Sequence, residues 1–314
     1  MSAFIDQVRD RFGVEPTCRT LGVSSSAYYR RATGQRSERS IRHERLGARI
    51  GEVHEANYRA YGYRRVHKAL QREGVEVGRD QVASLMRRAG LQGAKRRGKP
   101  WRTTTPDPAA QRRPDLVNRQ FAVDRPNALW VADLTYLRCW EGTVFFSFVL
   151  DAFSRRVVGW QLASHMRTTL VLDALRMALG TREHGADLAL VHHSDAGSQY
   201  TSFDYTQALN DHWVLASIGT VGDCYDNALA ESFVDSFKTE LISDRVWRSR
   251  AQLELAIVEY IGWFNTARLH SSLGYRAPGE VEVSWLEHEH ERDLARTAPP
   301  ASVVQTLAAG LSDR

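Results

Sequence analysis

Between residues 100 and 114 the chain places four of its nine prolines, Pro100, Pro106, Pro108 and Pro114. Proline fixes φ and removes a backbone donor, and here it is mixed with Lys95, Arg96, Arg97, Lys99 and Arg102. No packed element suits that composition, so residues 94–125 read as a basic, extended linker. The segments on either side must then bury their own cores. With 314 residues there is room for about two domains.

Charge divides at the same place. Residues 1–125 hold 27 Lys and Arg against 13 Asp and Glu, a net of +14, whereas the remainder is net −9 and the whole only +5. A basic front half suits a polyanion, of which nucleic acid is the commonest. Hydrophobic residues make up 43% and charged ones 25%, which excludes fibrous or wholly disordered chains. The longest apolar run, Val144 to Leu150, is far short of a membrane span. Met1, Ser2 and Ala3 begin no basic start with an apolar run, so no signal peptide is expected. Three scattered cysteines form no CxxC pair, which fits a reducing cytoplasm.

Residues 1–40 are expected to be short helices. Ile5, Val8 and Phe12 recur at helical spacing, Pro16 to Leu21 forms a second helix, and Gly22 turns the chain. Ser24 then caps a third helix carrying Ser25, Tyr28, Arg30 and Arg31, a helix-turn-helix outline. Residues 41–93 repeat the theme. Leu46, Ile50 and Val53 form one stripe, and Tyr63, Val66, His67 and Leu70 a second. Val82, Leu85 and Met86 line a third helix with Arg79, Arg87 and Arg88 on it. Tyr28, Arg30, Arg31, Arg87, Arg88, Lys95, Arg96 and Arg97 are the DNA-contact candidates of this half; a solvated helical surface and a plain tether are the competing explanations.

From Ala128 the pattern becomes α/β. Strands are expected at Leu129–Leu137, Val144–Asp151, Arg156–Ala163, Leu188–His193 and Leu215–Gly219, the second and third forming an antiparallel pair around Ser154–Arg155. Helices are expected over Thr169–Leu179, Phe203–His212, Asn227–Leu241 and Ser249–Ala267. That order implies one mixed five-stranded sheet flanked by helices over 126–285, with a poorly ordered tail over 286–314.

Three carboxylates stand out. Asp133 interrupts the apolar run from Trp130 to Tyr136, where a carboxylate needs a partner or a metal. Asp195 lies just beyond the carboxyl end of a strand, where open α/β sheets place ligands. Glu231 follows thirty-five residues later on a helix whose core stripe is Leu229, Phe233 and Phe237. Singly each has an ordinary structural explanation. As a set, three hard oxygen donors suit Mg²⁺ or Mn²⁺. Lys238, two helical turns past Glu231, is either a phosphate contact or a surface lysine.

WVADLTYL at 130–137, HSDAGSQY at 193–200 and DNALAESFVDSFKTEL at 226–241 resemble the D, D, thirty-five, E triad of retroviral-integrase-like transposases. NTARLHSSLGYRAP at 265–278 is similar to the C-terminal signature of the IS-three family of insertion-sequence transposases. The resemblance implies a ribonuclease H-like core and two Mg²⁺ ions, or Mn²⁺ in their place. It also implies cutting and joining of DNA ends without a covalent protein intermediate. On it, Asp133, Asp195 and Glu231 are metal ligands and Lys238 is a DNA contact, while Gln199, Tyr200 and Asn227 fall on motif positions near the site. The implied partners are double-stranded DNA (terminal inverted repeats and target), further copies of the chain, and a first-frame product, either separate from this second-frame product or fused to it. The other readings are a DNA-binding regulator, inactive without that partner, and a ribonuclease H-like nuclease.

Overall fold

The computed structural model describes residues 1–34, 36–95, 114–219, 227–243 and 245–297. Arg96, Arg97 and most of the expected linker lie outside these residues. The chain divides into two compact units, Met1–Gly93 and Ala94–Arg314.

The first unit is all helical. Helices α1 (Ser2–Phe12), α2 (Val14–Thr20) and α3 (Ser25–Ala32) close over Ile5, Cys18 and Tyr28. Ser24 caps α3 by accepting from the Ala27 amide. Helices α4 (Glu38–Ala56), α5 (Tyr63–Arg72) and α6 (Arg79–Arg88) pair through the expected stripes: Leu46, Ile50, Val53, Val66, Leu70, Val82, Leu85 and Met86 are all buried. The expected boundary between residues 40 and 41 falls inside α4, because Ser37 supplies the cap and the helix starts at Glu38.

The second unit holds one five-stranded sheet, β1 (Leu129–Cys139), β2 (Gly142–Asp151), β3 (Val157–Ala163), β4 (Val191–Ser194) and β5 (Leu215–Ile218), in the order β3-β2-β1-β4-β5. β1–β2 and β2–β3 are antiparallel; β1–β4 and β4–β5 are parallel. The pair β2–β3 turns around Ser154–Arg155 as expected. β4 begins three residues later than expected, since Ala186–Leu188 forms a 3₁₀ turn ahead of it.

Helix α7 (Thr168–Thr181) lies against β3 at Gly159, where a Cβ would stand 2.1 Å from the Ala174 carbonyl oxygen. It covers one sheet face with α8 (Phe203–Asp211), enclosing Trp130, Ala132, Val149, Leu175 and Tyr205. On the other face α9 (Ala228–Phe237) packs Phe233 on Phe148, ring centroids 4.5 Å apart, and Phe237 on Phe146 at 4.8 Å.

Two expectations about helices are corrected. The run expected as one helix over Asn227–Leu241 changes pitch, α9 ending at Phe237 and a π-helical turn occupying Lys238–Ile242. The tail expected to be unordered from residue 286 is helical to Thr297. Helices α10 (Arg250–Thr266) and α11 (Pro278–Thr297) close the unit, α11 starting on a proline that suits a first helical position. Burial of Val281 and Glu282 anchors α11. Glu282 takes the guanidinium of Arg182 at 2.7 Å and that of Arg156 at 2.9 Å. Residues 298–314 lie outside the described residues.

Candidate active site

Asp133 and Asp195 come from neighbouring parallel strands. β1 and β4 are in register with Val131 opposite His193, so two residues further along each chain path stand Asp133 and Asp195. Adjacent strands lie about 5 Å apart. In β1, Asp133 pairs with Phe148 of β2 and shares its face, the one covered by α9. Glu231 sits in the first turn of that helix. The base of α9 is tied to the sheet by Asn227, whose side-chain amide donates to the Ala132 carbonyl at 3.0 Å.

Asp133 feels the charges of both other carboxylates. The half-buried Asp133 carboxyl is pushed up to about 7, first by desolvation and then by the charges of Asp195 and Glu231. The Leu134 amide, donating at 2.7 Å, and the Lys238 charge pull the other way. Glu231 is also raised above its ordinary value, by desolvation and by Asp235. Asp195 accepts from the Gly197 amide at 3.1 Å, and a Cβ on Gly197 would stand 3.0 Å from the same carboxylate oxygen. Lys238 opens the π turn with its ammonium 5.0 Å from the Tyr136 ring centroid. Burial lowers its pKa, opposed by the charges of Asp133 and Asp235.

Among the described residues no group of three or more His, Cys, Asp or Glu side chains is placed to hold a metal ion. The donor set nevertheless suits a hard divalent cation. All three groups are carboxylates, and the mutual repulsion that lifts Asp133 is what such an ion would relieve. The nearby histidines are not donors to it. His192 bonds the Tyr205 hydroxyl at 3.0 Å, burial pushing its pKa down to about 3, and His193 bonds Ser217 at 2.9 Å.

Several candidate contacts are engaged within the protein, two of them buried. Tyr28 is 4% exposed, with its hydroxyl donating to Asp6 at 2.7 Å, and Arg31 pairs with the same carboxylate. Both hold α1 to α3. Tyr200 is buried between sheet and helix, 4% exposed, so it cannot reach DNA from there. Asn227 is engaged with β1, and Gln199 donates to the Met166 carbonyl. Arg30, Arg87, Arg88 and Lys95 are exposed.

The C-terminal signature proves to be structural. Arg268 grips Glu240 of the π turn through two bonds of 2.6 and 2.8 Å, Tyr260 donates to the same carboxylate, and His270 lies beside Arg268. Asn265 clasps both the amide and the carbonyl of Val157 in β3 at 2.9 Å. Sequence reasoning missed these roles, and neither Glu240 nor Arg268 stands out from its polar neighbours in the sequence.

A mixed sheet of this order, with acidic residues at its centre and on the helix crossing it, defines a ribonuclease H-like integrase core. Comparison with known proteins narrows the class. The integrase core domain family matches residues 123–224 and again 213–278, and the HTH-like domain family matches residues 42–99. The transposase for insertion sequence element IS629 of Shigella sonnei is 42% identical over 300 residues, 94% of this chain and 100% of that one. The putative transposase for IS986/IS6110 of Mycobacterium tuberculosis is 45% identical over 269 residues, 84% of this chain and 96% of that one. The chain belongs to the insertion-sequence transposases of the IS-three type. Among solved structures, the catalytic core domain of bovine immunodeficiency virus integrase overlaps 53% of this chain and 98% of its own, at 19% identity and a TM-score of 0.39.

Proposed function

We propose that this chain is a DNA transposase that cleaves insertion-sequence ends and joins them to target DNA. The site assignment is supported by the register of β1 and β4, which sets Asp133 beside Asp195, and by Glu231 in the first turn of the helix packed on the same face. Two Mg²⁺ ions held by these carboxylates, or Mn²⁺ in their place, would activate the attacking oxygen and stabilise the leaving oxygen of a phosphodiester. Lys238 holds a DNA phosphate as a point charge beside the carboxylates without competing for the metal. Its position over Tyr136 and its electrostatic coupling to Asp133 support that role. The helical first unit supplies duplex binding, in keeping with its positive charge and its HTH-like match.

Strand transfer of a terminal duplex in Mg²⁺ tests the reading. Asp195→Asn keeps the shape of the side chain and removes its charge, so it should abolish cleavage and joining while leaving duplex affinity nearly intact. A variant that still cut at a tenth of the wild-type rate would remove Asp195 from the metal set.

A further inference from the structure

The arginines of the helical unit fall into two groups. Arg31, Arg36, Arg49 and Arg59 each hold a carboxylate at 2.5–2.8 Å. Arg39 and Arg88 have no carboxylate partner among the described residues, and Arg42 donates only to the Glu76 carbonyl, at 3.1 Å. Arg11, Arg19, Arg30, Arg45 and Arg87 also lack a carboxylate partner among the described residues, but Arg39, Arg42 and Arg88 are gathered in one place. Arg39, Arg42 and His43 from the start of α4 face Gln81, Ser84 and Arg88 of α6 across one cleft of about 770 Å³. Leu85 forms part of its floor, and Glu38 is its single acidic lining residue.

Gln81, Ser84 and Arg88 are spaced i, i+3 and i+7, so they lie along one stripe of α6. The cleft thus presents three guanidinium groups with a neutral amide and a hydroxyl between them. Guanidinium forks bind phosphate oxygens in a bidentate manner, and Gln and Ser side chains add neutral donors to the same oxygens. Shape also bears on the occupant. Reading base edges requires an element that protrudes into a groove, whereas this surface is concave and suits the convex sugar–phosphate ridge of one strand.

An acidic protein segment is the other occupant such a cleft would accept. The acidic helix α11 is a poor one, since Glu289 and Asp293 are already paired with Arg292 and Arg296 on their own helix.

Resting on the reading of this chain as a DNA-acting enzyme, we infer that the cleft between α4 and α6 is a clamp for the phosphate backbone of duplex DNA, independent of base sequence. Arg39, Arg42 and Arg88 grip the phosphates, and Gln81 and Ser84 donate to them. Neither Arg39 nor Arg42 was among the contacts expected from sequence.

The test measures binding of the full chain to several unrelated 30-base-pair duplexes over a range of salt, for wild type, the triple variant Arg39→Ala/Arg42→Ala/Arg88→Ala and the milder Arg39→Gln/Arg88→Gln. Arg59→Gln, which breaks a paired arginine of the same unit, is the control. Each lost phosphate contact should reduce the slope of log K against log salt by about 0.9. The triple variant should therefore lose affinity by a similar factor on every duplex, with a slope shallower by about 2 to 3 units, and the double variant about two-thirds as much. The control should match wild type. An unchanged slope in the folded triple variant would overturn the clamp while leaving the transposase reading standing. A loss confined to one duplex would overturn it in favour of base reading. Tighter binding by the triple variant would instead assign the cleft to an acidic segment that DNA must displace. Wild type that bound no duplex would defeat both the clamp and the function on which it rests.

Discussion

At the scale of single residues, burial and neighbouring charge work against the ionised form of Asp133. The folded pKa of Asp133, about 7, lies above its ordinary value of 3.8, so the folded protein binds that proton more tightly than the unfolded chain. Its contribution to stability is complete below about pH 4 and is lost as pH rises toward 7. Asp133→Asn should then melt higher than wild type at pH 8 without metal, the gap closing below about pH 5. Added Mg²⁺ should raise the melting temperature of wild type more than that of the variant. Scanning calorimetry against pH, with and without Mg²⁺, checks both; a pH-independent gap would contradict the shift. Lys238 makes a second case. Lys238→Ala should weaken terminal-duplex engagement and strand transfer with little change in melting temperature. A lower melting temperature with intact DNA activity would reduce it to a packing residue over Tyr136.

At the scale of elements, the segment carrying Glu231 and Lys238 is fastened at both ends. Asn227 ties it to the Ala132 carbonyl, and Arg268 holds Glu240 of the π turn. Both partners of that pair are nearly fully buried, at 3% and 5% side-chain exposure. Removing one leaves the other as an uncompensated buried charge, at a cost of about 3–5 kcal/mol. Arg268→Ala should show this as a lower denaturation midpoint in urea, and a drop of less than 1 kcal/mol would mean that the pair is solvated. The contact of α7 with β3 is as demanding. Gly159→Ala places a methyl group into the Ala174 carbonyl, and a forced backbone shift should cost about 1–3 kcal/mol, read from the same denaturation curve.

The elements also show which features sequence alone reveals. The strands were legible because β1 and β2 are dense in β-branched and aromatic residues, and Asp133 was legible as a polar break in such a run. The π turn was not. Helical periodicity continues through Phe237 and Leu241, and the π turn carries Glu240 to Arg268, a partner twenty-eight positions away. The helical continuation beyond residue 286 was obscured for a similar reason. Its acidic composition suggests a solvated tail, whereas Glu282 anchors the helix through Arg182 and Arg156, partners set by tertiary structure. Tyr28 and Tyr200 looked like free aromatic contacts because burial cannot be read from a motif.

At the scale of the whole molecule, DNA binding and chemistry are assigned to different units. A fragment of residues 1–93 should keep most of the duplex affinity and its steep salt dependence, and residues 94–314 should bind weakly. Anisotropy titrations of both fragments check this; equal affinity of the acidic fragment and the full chain would contradict the division. The central pairing of β1 with β4 has one more consequence. Its parallel ladder brings together two aspartates that lie far apart in the chain, and a slip of one residue would turn Asp133 to the opposite face. Misregistered molecules would thus lose the pairing of the two aspartates as well as the native packing. A divalent cation would act as a selective ligand for correctly paired chains, drawing the folding equilibrium toward the one arrangement able to bind it.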